Sequence, residues 1–425
     1  MERTLVRDLA GRAGRSVRLC GWAHGPATGA VLVLRDPTGL VALVAADEPG
    51  ECLEAVTPES AIEAMGTVVP ASQDTDLHVA LDDLRVVGPA AVPLPIDAGT
   101  ALDERLDWRY LDLRRPEHRL VFEVQTTIER AMRRWWAARD FIELHSPKLR
   151  AMPNQSGREL FTVGYFDTTA YLAQSPQFSK QLAMAAGFER VFEIGPVFRA
   201  NPLVTRRHDT EFTSVDVEVS WIDSHEDVMA LEEQWLSEAI AAVEAEHGAD
   251  VERVFGREVH VPTTPFPRVT MAEATDILAG LGHRSSARAG DLDAEGERLL
   301  GEHIARERGH ELVFVTEYPA AVRPFYHMRL SEGSDLTRSF DLLWNGLEVT
   351  TGAQREHRYD RLVAQAARNP SRLEVIRPYL DSFRYGCPPH GGFGLGLTRV
   401  LMSLLGVRDV REVTFLYRGR DRLTP

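Results

Sequence analysis

Trp344-Asn345-Gly346-Leu347 is the tightest constraint in this sequence. Asn-Gly between two apolar-rich runs is the strongest short signal for a two-residue type I′ hairpin, because both central residues there take positive φ. Such a turn fixes the register of its strands. Trp344 then opposes Leu347, Leu343 opposes Glu348, and Asp341 opposes Thr350. Asp341 and Glu348 project from one face as diagonal neighbours. Two carboxylates held that close repel unless a cation lies between them, and Mg²⁺ bridging phosphates satisfies both. Arg355 has the opposite parity, so reaching that face requires a bulge, for which Gly352 is a suitable site. The plainer alternative is a solvent-facing hairpin with unrelated charges.

Three other stretches carry chemistry. In Tyr171-Leu-Ala-Gln-Ser-Pro-Gln-Phe-Ser-Lys-Gln-Leu-Ala-Met, Ser175 is placed to cap a helix whose first residue is Pro176. Gln177, Lys180 and Gln181 then share a face, and a lysine in a first turn calls for an anion; a solvated helix face is the bland reading. Val191-Phe-Glu-Ile-Gly-Pro-Val-Phe-Arg and Phe212-Thr-Ser-Val-Asp-Val-Glu-Val-Ser-Trp both alternate with period two, as a hairpin does. Ser214, Asp216 and Glu218 share one face of its return strand. The loop between is longer than the usual ~2–5 residues, and its Arg206-Arg207-His208 suits phosphates. A surface loop with scattered charge is the competing reading. In Gly386-Cys-Pro-Pro-His-Gly-Gly-Phe-Gly-Leu-Gly-Leu-Thr-Arg399, Gly391, Gly392, Gly394 and Gly396 remove side chains where a flat ligand could approach backbone. Leu397, Val400, Leu401, Leu404 and Leu405 make the apolar stripe of the helix that follows. Arg399 lies at its positive end, where a cation is disfavoured without a nearby anion.

Composition sets the frame. At 425 residues, roughly two or three domains are expected, or a large domain with a small one. No apolar run approaches the ~18 residues of a membrane span, and Met1-Glu2-Arg3 is not followed by a secretory core. Cys20, Cys52 and Cys387 are far apart, which disfavours a disulfide or metal framework and points to the cytoplasm. A net charge of −15 argues against non-specific nucleic-acid binding and leaves room for a local basic surface.

From Val17 to about Val87, short alternating bursts (Ser16–Trp22, Gly29–Arg35, Gly39–Val44, His78–Leu81, Leu84–Val87) are broken by Gly, Pro and Asp, the signature of a small barrel or sandwich. Val92-Pro-Leu-Pro-Ile-Asp reads as a linker and Leu106–Pro116 as a hinge. An amphipathic helix follows over Glu117–Arg139, with Phe122, Val124, Ile128, Met132 and Trp136 near one face. Beyond it, hairpins and helices mix without a βαβ rhythm, so the large domain is α+β. The expected division is residues 1–90, a linker at 91–116, and 117–425.

With these pieces in place, the chain resembles the class II aminoacyl-tRNA synthetases and is most similar to their archaeal-type aspartate branch, nearly end to end. Phe141-Ile-Glu-Leu-His-Ser-Pro147 matches motif one, Val197-Phe-Arg-Ala with Arg207-His208 motif two, and Gly394-Leu-Gly-Leu-Thr-Arg399 motif three. Gln174-Ser-Pro-Gln177, Gln354-Arg-Glu-His-Arg and Arg422-Leu-Thr-Pro are specific to the aspartate branch. The resemblance implies a six-stranded antiparallel catalytic sheet, an N-terminal OB-fold barrel and a homodimer with the motif-one proline at its interface. It implies ATP, Mg²⁺, aspartate and tRNA as ligands. Arg199 and Arg399 would be the catalytic arginines, on the α-phosphate and the γ-phosphate end of a bent ATP. Arg207, His208, Phe212, Glu348 and Gly396 would complete the ATP site. Asp341, Glu348 and Thr351 would hold Mg²⁺. Gln155, Ser175, Gln177, Lys180, Thr351 and Arg355 would bind aspartate, Lys180 and Arg355 on its side-chain carboxylate.

The sequence also departs from the family. Asn201 and Gln155 replace glutamates, Thr398 an acidic residue, and Gly352-Ala353 a Gly-Gly. In the barrel, the Gly25–Gly29 loop is short and without basic residues. Val31 falls where an aromatic stacks on an anticodon base, and Ala42 where a glutamine reads one; Glu59 alone fits the anticodon-reading set. Stacking is worth about 1–3 kcal/mol per base. Two functions therefore compete: aspartylation of tRNA, and a paralogue that adenylates aspartate or a close analogue and delivers it to a small amine, a carrier or an atypical tRNA.

Overall fold

Period-two alternation in the N-terminal segment closes on itself. The computed structural model describes residues 1–46, 53, 55–72, 76–151, 160–202, 205–288, 290–368 and 373–424, in two units, Met1–Trp108 and Arg109–Pro425. In the first, β1 (Ser16–Ala23), β2 (Val31–Asp36), β3 (Gly39–Val44), β4 (Ala61–Val69) and β5 (His78–Gly88) form a closed barrel in the order β1-β2-β3-β5-β4. Val17, Leu19, Leu32, Leu34, Leu43, Ile62 and Val79 turn inward as its core. Strand β4 escapes the sequence reading because its inward positions include small residues, Ala64 and Gly66, that blur the alternation. The two expected strands His78–Leu81 and Leu84–Val87 are one. Pairing jumps from Gly66–Leu81 to Met65–Asp83, so Asp82 is extruded as a bulge that bends β5.

The second unit is α+β, as expected. The segment read as a hinge is helical over Leu102–Asp107 and Arg109–Asp112. Within this unit Arg109 pairs with Asp112 at 2.6 Å and donates to the Glu412 and Thr414 carbonyls. The long helix α1 (Pro116–Ala137) starts with proline at its first position, which needs no N–H there. It buries Val124, Ile128, Met132 and Trp136. After β6 (Ile142–Glu143) comes a three-stranded sheet of β7 (Leu149–Arg150), β8 (Thr162–Tyr165) and β9 (Thr168–Leu172), then α2 (Gln177–Ala185). The motif-two hairpin is β10 (Arg190–Phe198) and β11 (Glu211–Ser220), with Val197 opposite Phe212. Next come α3 (His225–Phe255), β12 (Arg268–Thr270), α4 (Met271–Gly280), α5 (Ala294–Arg308) and β13 (Leu312–Thr316). The chain continues through β14 (Ser339–Trp344), β15 (Leu347–Gln354), α6 (Tyr359–Ala366), α7 (Leu373–Asp381), β16 (His390–Gly396) and α8 (Leu397–Leu405).

The main sheet has eight strands in the order β12-β13-β14-β15-β16-β11-β10-β6. Its six central strands are antiparallel, and the short edge strands β12 and β6 add in parallel. The family pattern of six is thus extended by one short parallel strand at each edge. One face packs Val215, Val217, Phe340, Leu342, Phe393 and Leu395 against α1, α3 and α8. Alternation then commits Asp216, Glu218, Asp341, Gly392 and Gly394 to the other face. The glycines from Gly391 to Gly396 accordingly lie in a strand that runs straight into α8, rather than in a turn.

Asn345 and Gly346 take φ of 50° and 73°, which realises the type I′ turn, and Trp344–Leu347 and Leu343–Glu348 pair as expected. Beyond them the register shifts: Leu342 opposes Thr350 and Asp341 opposes Thr351, not Thr350. The extra residue is Val349, so the bulge sits there and not at Gly352. Val349 and Thr350 both turn into the buried side of the sheet, and Thr351, Ala353 and Arg355 move to the face of Asp341. Gly352 answers to crowding: a Cβ on it would lie 2.1 Å from Cζ of Phe340. Among the described residues no helix is long and apolar enough to cross a membrane.

Candidate active site

Helix α2 is buried on its polar side as well as its apolar one, where Phe178, Ala183 and Met184 pack. Its polar stripe Gln177, Lys180 and Gln181 is buried, while Leu182 is 42% exposed. The helix begins at Gln177, one residue later than expected, and the Ser175 hydroxyl accepts from the Gln177 amide at 3.3 Å. The stripe is buried because acceptors on the sheet meet it. Lys180 Nζ lies 2.8 Å from Asp216 Oδ1 and 3.5 Å from Glu218 Oε2, and it donates to the carbonyls of Phe393 (2.9 Å) and Val217 (3.2 Å). An ammonium has three N–H bonds, so these acceptors occupy all of them. Lys180 therefore lies beneath the floor of the cleft as a buried strut.

Arg355, the residue after β15, reaches the same carboxylate. Its Nε donates to Glu218 Oε1 at 3.0 Å, and Nη2 to Glu218 Oε2 (3.4 Å) and the Gly392 carbonyl (2.8 Å). Nη1 donates to His327 Nε2 at 3.1 Å. Of five guanidinium hydrogens, one on Nη1 is left. Burial alone would raise the pKa of Glu218, but Arg355 and Lys180 outweigh it and hold the carboxyl below its usual value. Lys180, Arg355, Asp216 and Glu218 make a neutral cluster of two cations and two anions. Gly392 allows it: a Cβ there would lie 2.0 Å from the Val217 carbonyl oxygen and 2.5 Å from Glu218. Gly391 and Gly392 thus serve internal packing, whereas Gly394 and Gly396 border the cleft.

A second group of cations gathers at the other expected positions. The Arg199 guanidinium lies 5.2 Å from the centre of the Phe212 ring. Arg207 pairs with Glu297 at 2.5 Å. Arg399 donates to the Glu348 carbonyl at 2.8 Å and lies 3.5 Å from its carboxylate, which supplies a local anion at the head of α8. His208 is pushed down to about 4 by burial and by Arg399, Arg207 and Arg199, so its ring is neutral. Asp209 is pushed up to about 7 by burial, which outweighs the two arginines beside it, and its Oδ2 has no hydrogen-bond partner.

For the acidic pair, Asp341 Oδ2 meets Arg323 at 2.5 Å, while its buried Oδ1 has no hydrogen-bond partner. The Thr351 hydroxyl donates to Glu348 at 3.2 Å. Burial raises the pKa of Asp341, with Glu348 adding to the rise and Arg323 opposing it. An orphaned carboxylate oxygen beside a second carboxylate fits a divalent cation. Among the described residues no cluster of three or more His, Cys, Asp or Glu could hold one alone, so phosphate oxygens and water would complete its shell.

Arg199, Arg207, His208, Phe212, Gly396 and Arg399 line one cleft of about 1410 Å³. Ser175, Gln177, Glu348, Thr351 and Arg355 line the same cleft. Lys180 and Asp341 sit behind its wall, and Gln155 lies outside the described residues, as does Cys52. Sequence reasoning missed Asp209, Arg323 and His327, and it left Asp216 and Glu218 without a role. Only the last two carried a signal, their shared face on β11.

The family model for tRNA synthetases class II (D, K and N) matches residues 101–418. The aspartate–tRNA(Asp/Asn) ligase of Methanopyrus kandleri is 44% identical over 428 residues, with 97% of each chain covered. That of Thermus thermophilus is 40% identical with both chains fully covered. The aspartate–tRNA(Asp) ligase of Pyrococcus abyssi is 37% identical, with 97% of each chain covered. Among solved structures, asparaginyl-tRNA synthetase from Pyrococcus horikoshii complexed with asparaginyl-adenylate superimposes over all of both chains, with a TM-score of 0.91 at 29% identity. Aspartyl tRNA synthetase from Entamoeba histolytica gives 0.87 at 26%, covering all of this chain and 93% of that one. With the family model covering residues 101–418 and relatives of 37–44% identity matching nearly end to end, the chain belongs to the class II tRNA synthetases of the aspartate, lysine and asparagine group.

Proposed function

We propose that the protein activates L-aspartate with ATP to aspartyl-adenylate and transfers the aspartyl group to tRNA. The observation that carries the amino-acid assignment is Arg355, which keeps one Nη1 hydrogen after serving Glu218, Gly392 and His327 and lines a cleft that also holds Arg199 and Arg399. The full-length relatives named as aspartate–tRNA ligases support the same reading. Nothing in the comparisons supports delivery to a non-tRNA acceptor.

Activation is an in-line displacement. The α-carboxylate of aspartate attacks the α-phosphorus, the bond to the bridging oxygen of the β-phosphate breaks, and pyrophosphate leaves. The nucleophile is already ionised, so no general base is needed; positioning and charge neutralisation lower the barrier. Arg199 and Arg399 would bind the α- and γ-phosphates, with the base on Phe212. Neutral His208 would add a hydrogen bond without charge. The remaining Nη1 hydrogen of Arg355 would meet the side-chain carboxylate, and Asp216, which borders the cleft, would accept from the substrate ammonium. Lys180 would act by holding Asp216 and Glu218 in place. Asp341 and Glu348, with Thr351 beside them, would hold Mg²⁺, which supplies Lewis-acid neutralisation of the phosphates when bound. Gln155 is the expected further contact to aspartate. Pairing of two chains through the exposed Ile142 and Pro147 would give the homodimer.

The test is isotope exchange between pyrophosphate and ATP. Exchange should require aspartate and Mg²⁺, proceed without tRNA, and vanish in Arg355→Leu. Exchange indifferent to aspartate would refute the substrate, and adenylate formation without charging of bulk tRNA would refute the acceptor.

A further inference from the structure

Arg355 is aimed by a residue outside every motif of the sequence. His327 faces it directly in an antiparallel bridge. The Met328 amide donates to the Gln354 carbonyl at 3.0 Å and the Glu356 amide to the Tyr326 carbonyl at 2.9 Å, which fixes the two backbones on either side. The imidazole is 3% exposed, borders the cleft, and its Nε2 lies 3.1 Å from Arg355 Nη1. A guanidinium can only donate, so Nε2 is the unprotonated acceptor and the ring hydrogen sits on Nδ1. That Nδ1 is buried without a hydrogen-bond partner. An apolar side chain would avoid the orphaned donor, yet it would leave both Nη1 hydrogens of Arg355 uncommitted. The ring stays neutral, because burial, Arg355 and Arg323 hold its pKa well below the ordinary imidazole value.

We infer that His327 is a specificity-determining positioning residue: by accepting one Nη1 hydrogen it leaves Arg355 a single, directed N–H for the side-chain carboxylate of the amino-acid substrate. The inference rests on the proposed role of Arg355. Without the imidazole, Arg355 would be held by its Nε and Nη2 bonds alone, and its second Nη1 hydrogen would be open to water or to the oxygen of a carboxamide. With Nη1 held, the remaining hydrogen points one way and rewards an anionic acceptor.

Pyrophosphate exchange with aspartate and with asparagine tests this in the wild type, His327→Leu, His327→Met and His327→Gln. Met matches the length of Gln without its acceptor oxygen, and serves should the Leu variant not fold. Removing the acceptor should raise KM for aspartate on the order of 10- to 100-fold, as expected for a lost hydrogen bond to a charged group. KM for ATP and kcat should stay within about twofold. The preference for aspartate over asparagine should fall in Leu and Met and largely return in Gln, whose carbonyl accepts from Nη1. Apolar variants with unchanged KM and preference, or a Gln variant no better than Met, would overturn the inference. Wild-type exchange that ignores aspartate would instead overturn the reading of Arg355 itself.

Discussion

Asp209 shows what a local pattern cannot reveal. It follows Arg206-Arg207-His208 in a loop whose charges read as a phosphate grip, yet its carboxyl is buried, holds an oxygen without a partner, and is pushed up to about 7 by that burial. Nothing in the spacing of that loop signals which side chain folds inward; burial is decided by the elements packed around it. The sign of the pH effect follows from charge. Bound polyphosphate adds negative potential, which favours the protonated carboxyl, so ATP binding raises the pKa of Asp209 further. Affinity for ATP should therefore fall as pH rises through about 7, and Asp209→Asn should remove that component. Titrations of ATP from pH 6 to 8.5 on both proteins check it: identical profiles would remove Asp209 from the linkage. Arg355 illustrates the opposite case. Its parity in the sequence already demanded a bulge, and the structure supplies one.

At the level of elements, turn chemistry was the most legible signal and the position of irregularities the least. Asn345-Gly346 specified the turn and its first two pairs. The bulge at Val349 could not be read, because Val349 and Thr350 alternate like any strand and only the packed core tells that both point inward. Gly352 attracted the prediction for a reason unrelated to its task, which is to leave room for Phe340. Gly352→Ala should cost about 1–3 kcal/mol by overpacking. Urea denaturation should show this as a lower midpoint with an unchanged m-value, and an unaltered midpoint would show that the Phe340 ring yields freely. Helix α2 misleads in another way. An apolar stripe normally marks the buried face; here Phe178, Ala183 and Met184 are buried as it expects, and carbonyls and carboxylates of β11 and β16 hold the polar stripe inside as well.

For the molecule as a whole, alternation and hairpin signals sufficed for a small all-β barrel or sandwich followed by an α+β unit, and the family resemblance alone singled out the barrel. They missed β4, whose inward Ala64 and Gly66 blur its alternation, and the parallel edge strands β6 and β12, whose few residues carry too little pattern. The barrel retains Glu59, held by a two-point ion pair to Arg35 at 2.7 and 2.9 Å, while the expected reading positions Val31 and Ala42 carry small side chains. If Glu59 contributes to tRNA recognition, Glu59→Gln should lower kcat/KM for tRNA about fivefold, the worth of one hydrogen bond, and leave pyrophosphate exchange untouched; equal loss in both assays would point to the barrel's stability instead. In the catalytic unit the four buried charges at the floor of the cleft join α2, β11 and the end of β15 into one electrostatic unit. Deleting one member strands an opposite charge in a dry interior, typically at a cost of about 3–5 kcal/mol. Drift toward another amino acid is thereby penalised at each single step: coordinated exchanges, a cation lost together with an anion, are the ones that spare stability, so this corner of the sequence can remain fixed even while its surroundings diverge.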